Sequence, residues 1–188
     1  VQAPTTLTTL VPTAPASAAP HGFAAWLQAT PASQIIQSVS WAVPLLQSIH
    51  IVMIGVVFVS SLMIALRVLG WMRPDEPFEA VWRRFAPWMW TGLIIMAATG
   101  LTLVLGEPVR EFTALSFWIK MLLLAVAVTS TAAYGRSLRP AAPAPPGEFS
   151  AAAKAASILL VVLWLAIVFL GRAIAYDKEV WGSLSLHA

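Results

Sequence analysis

Apolar positions in this chain gather into four long blocks divided by polar connections. The blocks run from Val43 to Gly70, Ala86 to Gly106, Thr113 to Tyr134 and Ala155 to Tyr176. Each matches or exceeds the roughly 20 residues with which a helix crosses about 30 Å of hydrocarbon. The pattern predicts an all-α protein, a four-helix bundle integral to the membrane, with both termini on one side. Ahead of the first block, within residues 21–42, Phe23, Trp26, Leu27, Ile35, Ile36 and Val39 recur about one turn apart among small and polar residues. That is the pattern of short amphipathic helices lying in the membrane interface. Thr30 suits the N-cap of the second of them and Pro31 its first turn. Residues 1–20, rich in Thr, Ala and Pro, predict a flexible tail without the basic and apolar regions of a secretory signal. Residues 135–150, with Pro140, Pro143, Pro145 and Pro146, read as an extended linker joining two hairpins, and residues 177–188 as a C-terminal tail.

Charge orients the bundle. The connection between the first two blocks carries Arg67, Arg73, Arg83 and Arg84, and that between the last two carries Arg136, Arg139 and Lys154. The opposite side offers Arg110 and Lys178, so the excess of basic residues places the arginine-rich connections in the cytoplasm and both termini outside. Tryptophans mark the same boundaries: Trp71, Trp82, Trp88 and Trp90 at the cytoplasmic interface, Trp41, Trp118 and Trp181 at the outer one, with Trp164 alone placed deep. Composition agrees, with 59% hydrophobic and 10% charged residues where soluble domains average about a quarter charged. The net charge of +3 comes from basic residues that bracket apolar runs, so it does not signal a nucleic-acid partner. The absence of cysteine excludes disulfides, thiolate metal sites, cysteine-ligated iron–sulfur clusters and a thiol nucleophile.

A polar side chain inside lipid needs a reason, because a charge at mid-membrane costs about 3 kcal/mol or more. Gln47 and His50 lie one turn apart on the first span, and Ile54, Val57 and Ser61 continue a face expected to point into the bundle. Lys120 in the third span and Arg172 near the end of the fourth fall in the same outer layer as His50. Glu107, Arg110, Glu111, Asp177 and Glu179 are placed to roof that layer. Two roles are open to His50: a core histidine donating to a neighbouring span, or a group in contact with a cofactor, metal or substrate. Lys120 and Arg172 either snorkel to the interface or face the same site. The methionines of the spans read as packing, and His21 and His187 as solvated.

The run Trp41, Pro44, Gln47, His50, Gly55 and Arg67 with the closing Leu69-Gly70 resembles the first span of an uncharacterised family of four-span bacterial inner-membrane proteins. Phe117 to Lys120 and Gly171-Arg172 resemble it too, and the similarity covers about three quarters of the chain. Two positions depart from the pattern, Gln47 where an acid is common and Ala65 where an Asp precedes the arginine. The resemblance implies a bacterial inner-membrane location and four spans, and brings no activity with it.

Three functions fit the residues. One is an accessory subunit that docks on other membrane-protein subunits in a larger assembly, expected to be an electron-transfer one; no span holds a carboxylate, a nucleophile–base pair or a phosphate-cradling loop. Another is a redox subunit that holds b-type haem or quinone, with His50 as ligand to the haem iron and Gln47, Lys120 and Arg172 around the cofactor. The third is a small ion or anion transporter, opposed by spans that lack mid-span breaks.

Overall fold

The computed structural model describes residues 22–138 and 149–182. The expected tail 1–20, residues 139–148 of the linker, the end of the C-terminal tail, His21 and His187 lie outside the described residues. Among the described residues the chain is helical with no strand. Two short helices, α1 (Gly22–Gln28) and α2 (Pro31–Ser38), precede α3 (Ala42–Leu69) and α4 (Phe78–Gly106). A short α5 (Pro108–Phe112) leads to α6 (Leu115–Leu138). Then come α7 (Ala151–Ala173), a 3₁₀ turn (Ile174–Tyr176) and α8 (Asp177–Trp181). The helices α3, α4 and α6, and the segment Ala151–Trp181, are each long and apolar enough to cross a membrane. The protein is therefore a multi-pass membrane protein built as an all-α four-helix bundle. No more than 28% of the most apolar stretch of any span is buried within the protein, so each span keeps apolar surface for lipid to cover.

Local chemistry sets the helix ends. Thr30 caps α2 as its residue type suggests, accepting from the Ser33 amide and donating to the Leu27 carbonyl. Gly70 ends α3 at φ 78°, a left-handed conformation that costs a side-chain-bearing residue energy, and its N–H bonds the Arg67 carbonyl. The connection from α3 to α4 is gathered around Glu76, whose carboxylate takes Arg73 and Arg84. The hydrogen bond from Arg73 holds the Glu76 carboxyl below the usual glutamate range. Arg67 is a buried residue of α3 rather than a solvated loop charge. It is 3% exposed in the last turn of α3, donates through Nε to the Glu76 carbonyl at 2.6 Å, and lies 5.5 Å over the Phe149 ring just ahead of α7. Arg67 thereby joins both hairpins at one end of the bundle, called here the arginine end; the other is the histidine end. Arg67 Nη1 and Trp164 Nε1 are the buried side-chain polar atoms that lack a partner among the described residues.

In the bundle, α3 packs against α4 and α7, and α7 packs against α6. One apolar core joins all four, with Val57, Ile64 and Val68 from α3, Trp82 and Met89 from α4, Ala127 from α6, and Trp164 and Ile167 from α7. Close approach of α3 to α4 depends on small residues of α4. A Cβ at Gly92 would meet Val57 Cγ2 at 2.9 Å, and one at Gly106 would meet Ile36 Cγ2 of α2 at 3.1 Å. Both α4 and α6 run further than the apolar blocks. At the arginine end the Trp82 ring, 8% exposed, lies directly on the backbone of α6 at Gly135. Trp82 is thus a core residue rather than an interface marker, unlike Trp71 and Trp88, which are 77% and 65% exposed. Above this contact the Tyr134 hydroxyl bonds the Ser157 hydroxyl and ties α6 to α7.

The Trp82 contact gives a direct test. A Cβ at Gly135 would come within 2.2 Å of the Trp82 ring, so Gly135→Ala overpacks the core and is expected to cost about 1–3 kcal/mol. Gly55 has open space at its Cβ position, so Gly55→Ala is expected to leave the melting temperature unchanged or raised. Thermal unfolding of both variants in one detergent checks the contrast.

Candidate functional site: a polar layer at the histidine end

His50 sits about two turns into α3, half-buried, on the same side as the buried Val57 and Ile64. Its Nδ1 lies 2.8 Å from Thr99 Oγ1 on α4. The Thr99 oxygen also lies 2.9 Å from the Ile95 carbonyl of its own helix; a hydroxyl that donates there accepts from His50 Nδ1–H. The Met96 carbonyl, 3.2 Å from the same hydroxyl, faces the same ring edge. With Nδ1–H donating to Thr99, the lone pair lies on Nε2. Close approach makes it possible: a Cβ at Gly100 would meet His50 Cε1 at 3.3 Å, so a larger residue there would push the ring off Thr99.

Lys120 enters the same layer from α6. Its stem passes Gly171 of α7, where a Cβ would meet Lys120 Cδ at 3.9 Å, and its Nζ lies 5.6 Å over the Phe117 ring, one turn nearer the histidine end. A helical side chain leans toward its helix N-terminus, so the ammonium is carried toward the surface. There it meets the field of Glu111 on α5, and its charge also acts on His50. Burial pushes the Glu111 carboxyl above the usual glutamate range, against the opposing pull of Lys120 and Arg110.

The remaining expected site residues lie elsewhere. Gln47 is exposed; three residues before His50, it stands about 60° round the helix from the line that His50 shares with Val57. Arg172 is exposed as well, with its guanidinium 5.7 Å from the Tyr176 ring centre on the outer surface. Its neighbour Gly171, about 100° away on the helix, lies beside the Lys120 stem. The structure therefore brings His50 and Lys120 together and leaves Gln47 and Arg172 outside the layer. Thr99, Gly100 and Glu111 complete it.

Asp177 has a different task. It is 3% exposed and accepts from the Ser116 amide at 2.9 Å, the Leu115 amide at 3.2 Å and the Ser116 hydroxyl at 2.8 Å. Trp181 Nε1 donates to the same hydroxyl at 2.8 Å. The carboxylate thus caps the first turn of α6 from α8, favoured by the partial positive charge of a helix N-terminus.

Chemically, the layer presents one imidazole acceptor, one ammonium and one carboxyl. Among the described residues no three His, Cys, Asp or Glu side chains are grouped to hold a metal ion. For haem, His50 supplies a single imidazole nitrogen and its ring edge is seated against α4, so the surroundings do not fit a haem. Comparison of the chain with protein-family models, curated proteins and solved structures finds no match.

Glu111 makes the layer's state pH-dependent. An acid with a raised folded-state value binds more protons folded than unfolded, so its contribution to stability falls as pH rises from the ordinary glutamate range through the raised one. Glu111→Gln is therefore expected to raise the melting temperature at pH 7 relative to the parent, with the gain fading toward pH 4. Melting curves of the two proteins across that range check the sign.

Proposed function

We propose that this chain is an accessory subunit of a larger assembly in the bacterial inner membrane, an electron-transfer assembly, and that it belongs with the four-span family its first span resembles. It docks on other membrane-protein subunits and stabilises them, with no active site of its own. The observation that carries this reading is how the intramembrane polar groups are used. His50 bonds Thr99 across α3 and α4, and Lys120 is held between Phe117 and the field of Glu111. Such groups hold helices together. The charge asymmetry of seven basic residues against two supports a cytoplasmic arginine end and a periplasmic histidine end. Apolar side chains on α1 and α2, Phe23, Trp26 and Ile35, are more than 60% exposed and give the histidine end a surface for lipid and partner.

A second reading, a quinone-binding redox subunit, is favoured by one specific feature. The Lys120 ammonium supplies donors suited to a quinone oxygen, and Nε2 of His50, outside the tie to Thr99, is placed to accept from the hydroxyl of the reduced quinol.

Purification from the native membrane in mild detergent, followed by native electrophoresis and a reduced-minus-oxidised spectrum, separates the two. The accessory reading expects a colourless chain that migrates with defined membrane-protein partners, and loses them when Trp26 and Ile35 are replaced by Glu. A chain that runs alone overturns it. Retention of quinone that is lost in His50→Ala moves the assignment to the second reading.

A further inference from the structure

The histidine end carries a groove that the docking and redox readings leave unused. It has a volume of about 510 Å³ and is lined by Gln28 at the end of α1, Gln37 of α2, Gly106 at the end of α4, and Glu107, Val109 and Arg110. Its size falls in the roughly 300–1,000 Å³ range of small-ligand sites. Its level is the headgroup layer: the apolar span of α4 ends at Gly106, and Trp26, Trp41 and Trp118, which are 62%, 65% and 49% exposed, stand at the same end.

The groove has a defined set of hydrogen-bonding groups. Gln37 uses its amide N–H₂ on the Gly106 carbonyl at 2.8 Å and on Ser33 Oγ at 2.9 Å, which orients its oxygen as the remaining acceptor. Glu107 gives Oε2 to Arg110 Nη1 and keeps Oε1, while Arg110 keeps its other N–H donors. Gln28 adds an exposed amide. The wall therefore holds an anion and two amide oxygens beside a guanidinium. That set complements a ligand with an N–H-bearing cation and a phosphate a few bonds apart.

We propose that this groove binds the phosphoethanolamine headgroup of a membrane phospholipid. The phosphate lies on Arg110, and the ammonium donates to Glu107 Oε1 and to the glutamine oxygens. Phosphocholine carries the same charges without N–H donors, and phosphoglycerol lacks the cation, so both are poorer occupants. Acyl chains then run down the outward face of α4 beside Leu101, which is 68% exposed.

The test titrates the purified full chain in detergent with short-chain phosphatidylethanolamine, phosphatidylcholine and phosphatidylglycerol, with bound lipid counted by native mass spectrometry. Phosphatidylethanolamine is expected to bind about tenfold more tightly than the other two, the worth of one charge-assisted hydrogen bond. Glu107→Gln is expected to remove that preference, and Arg110→Gln to weaken all three lipids. Both residues form an exposed pair outside the core, and a melting curve of each variant verifies its fold. Equal binding of the ethanolamine and choline lipids by the parent protein overturns the proposal without recourse to any variant, as does an unchanged preference in a folded Glu107→Gln.

Discussion

Inside hydrocarbon a polar atom has only the protein to bond, and the rest of this structure follows from that constraint. Backbone groups meet it by forming helices as long as the bilayer is thick. Some side chains meet it on their own helix, as Thr131 does at the Ala127 carbonyl, and a few join two elements. His50 bonds Thr99 between α3 and α4, Tyr134 bonds Ser157 between α6 and α7, and Asp177 closes the first turn of α6 from α8. Arg67 binds the Glu76 carbonyl and covers Phe149 at the other end. The ties sit near the ends of the bundle, where long side chains reach, and the middle is left to apolar packing. Because the alternative in lipid is an unsatisfied group, each tie also selects one register between its helices.

Small residues set how closely the ties can draw the helices. Along α4, Gly92 admits Val57, Gly100 admits the His50 ring and Gly106 admits Ile36, so one helix receives α3 and α2 along most of its length. The same helix offers bulk at the arginine end, where Trp82 spans to Gly135. Glycine meets a large side chain at each of these contacts, which is how two backbones approach without a hydrophobic driving force between them. At the histidine end α1 and α2 lie over the end of α4, with Phe23 stacked edge-on to Phe112 at 5.7 Å. This cover shapes the groove beside Glu107 and Arg110.

The four spans and the all-α class were legible because long apolar runs admit few other structures. The inward face of α3 was legible at His50 and Val57, which recur at whole turns. Gln47 was misleading: one turn of spacing put it near that face, and 60° of rotation was enough to expose it. Arg172 shows the same limit, since its neighbour Gly171 meets Lys120 while the arginine turns outward to Tyr176. Arg67 looked like a loop charge because helix ends are hard to place within a turn, and burial under Phe149 depends on a contact distant in sequence. Trp82 and Gly135 could not be paired from spacing alone, because nothing in a linear pattern says which spans meet.

The central claim is that the histidine-end layer is a tie between helices before it is anything else. A double-mutant cycle on His50→Leu and Thr99→Val, with unfolding free energies measured in one defined bilayer, tests it most directly. The account predicts a favourable coupling of about 0.6 kcal/mol and no more than about 1.7, the average and the largest value found for hydrogen bonds between membrane helices. A coupling of zero, with the two substitutions simply additive, would contradict it.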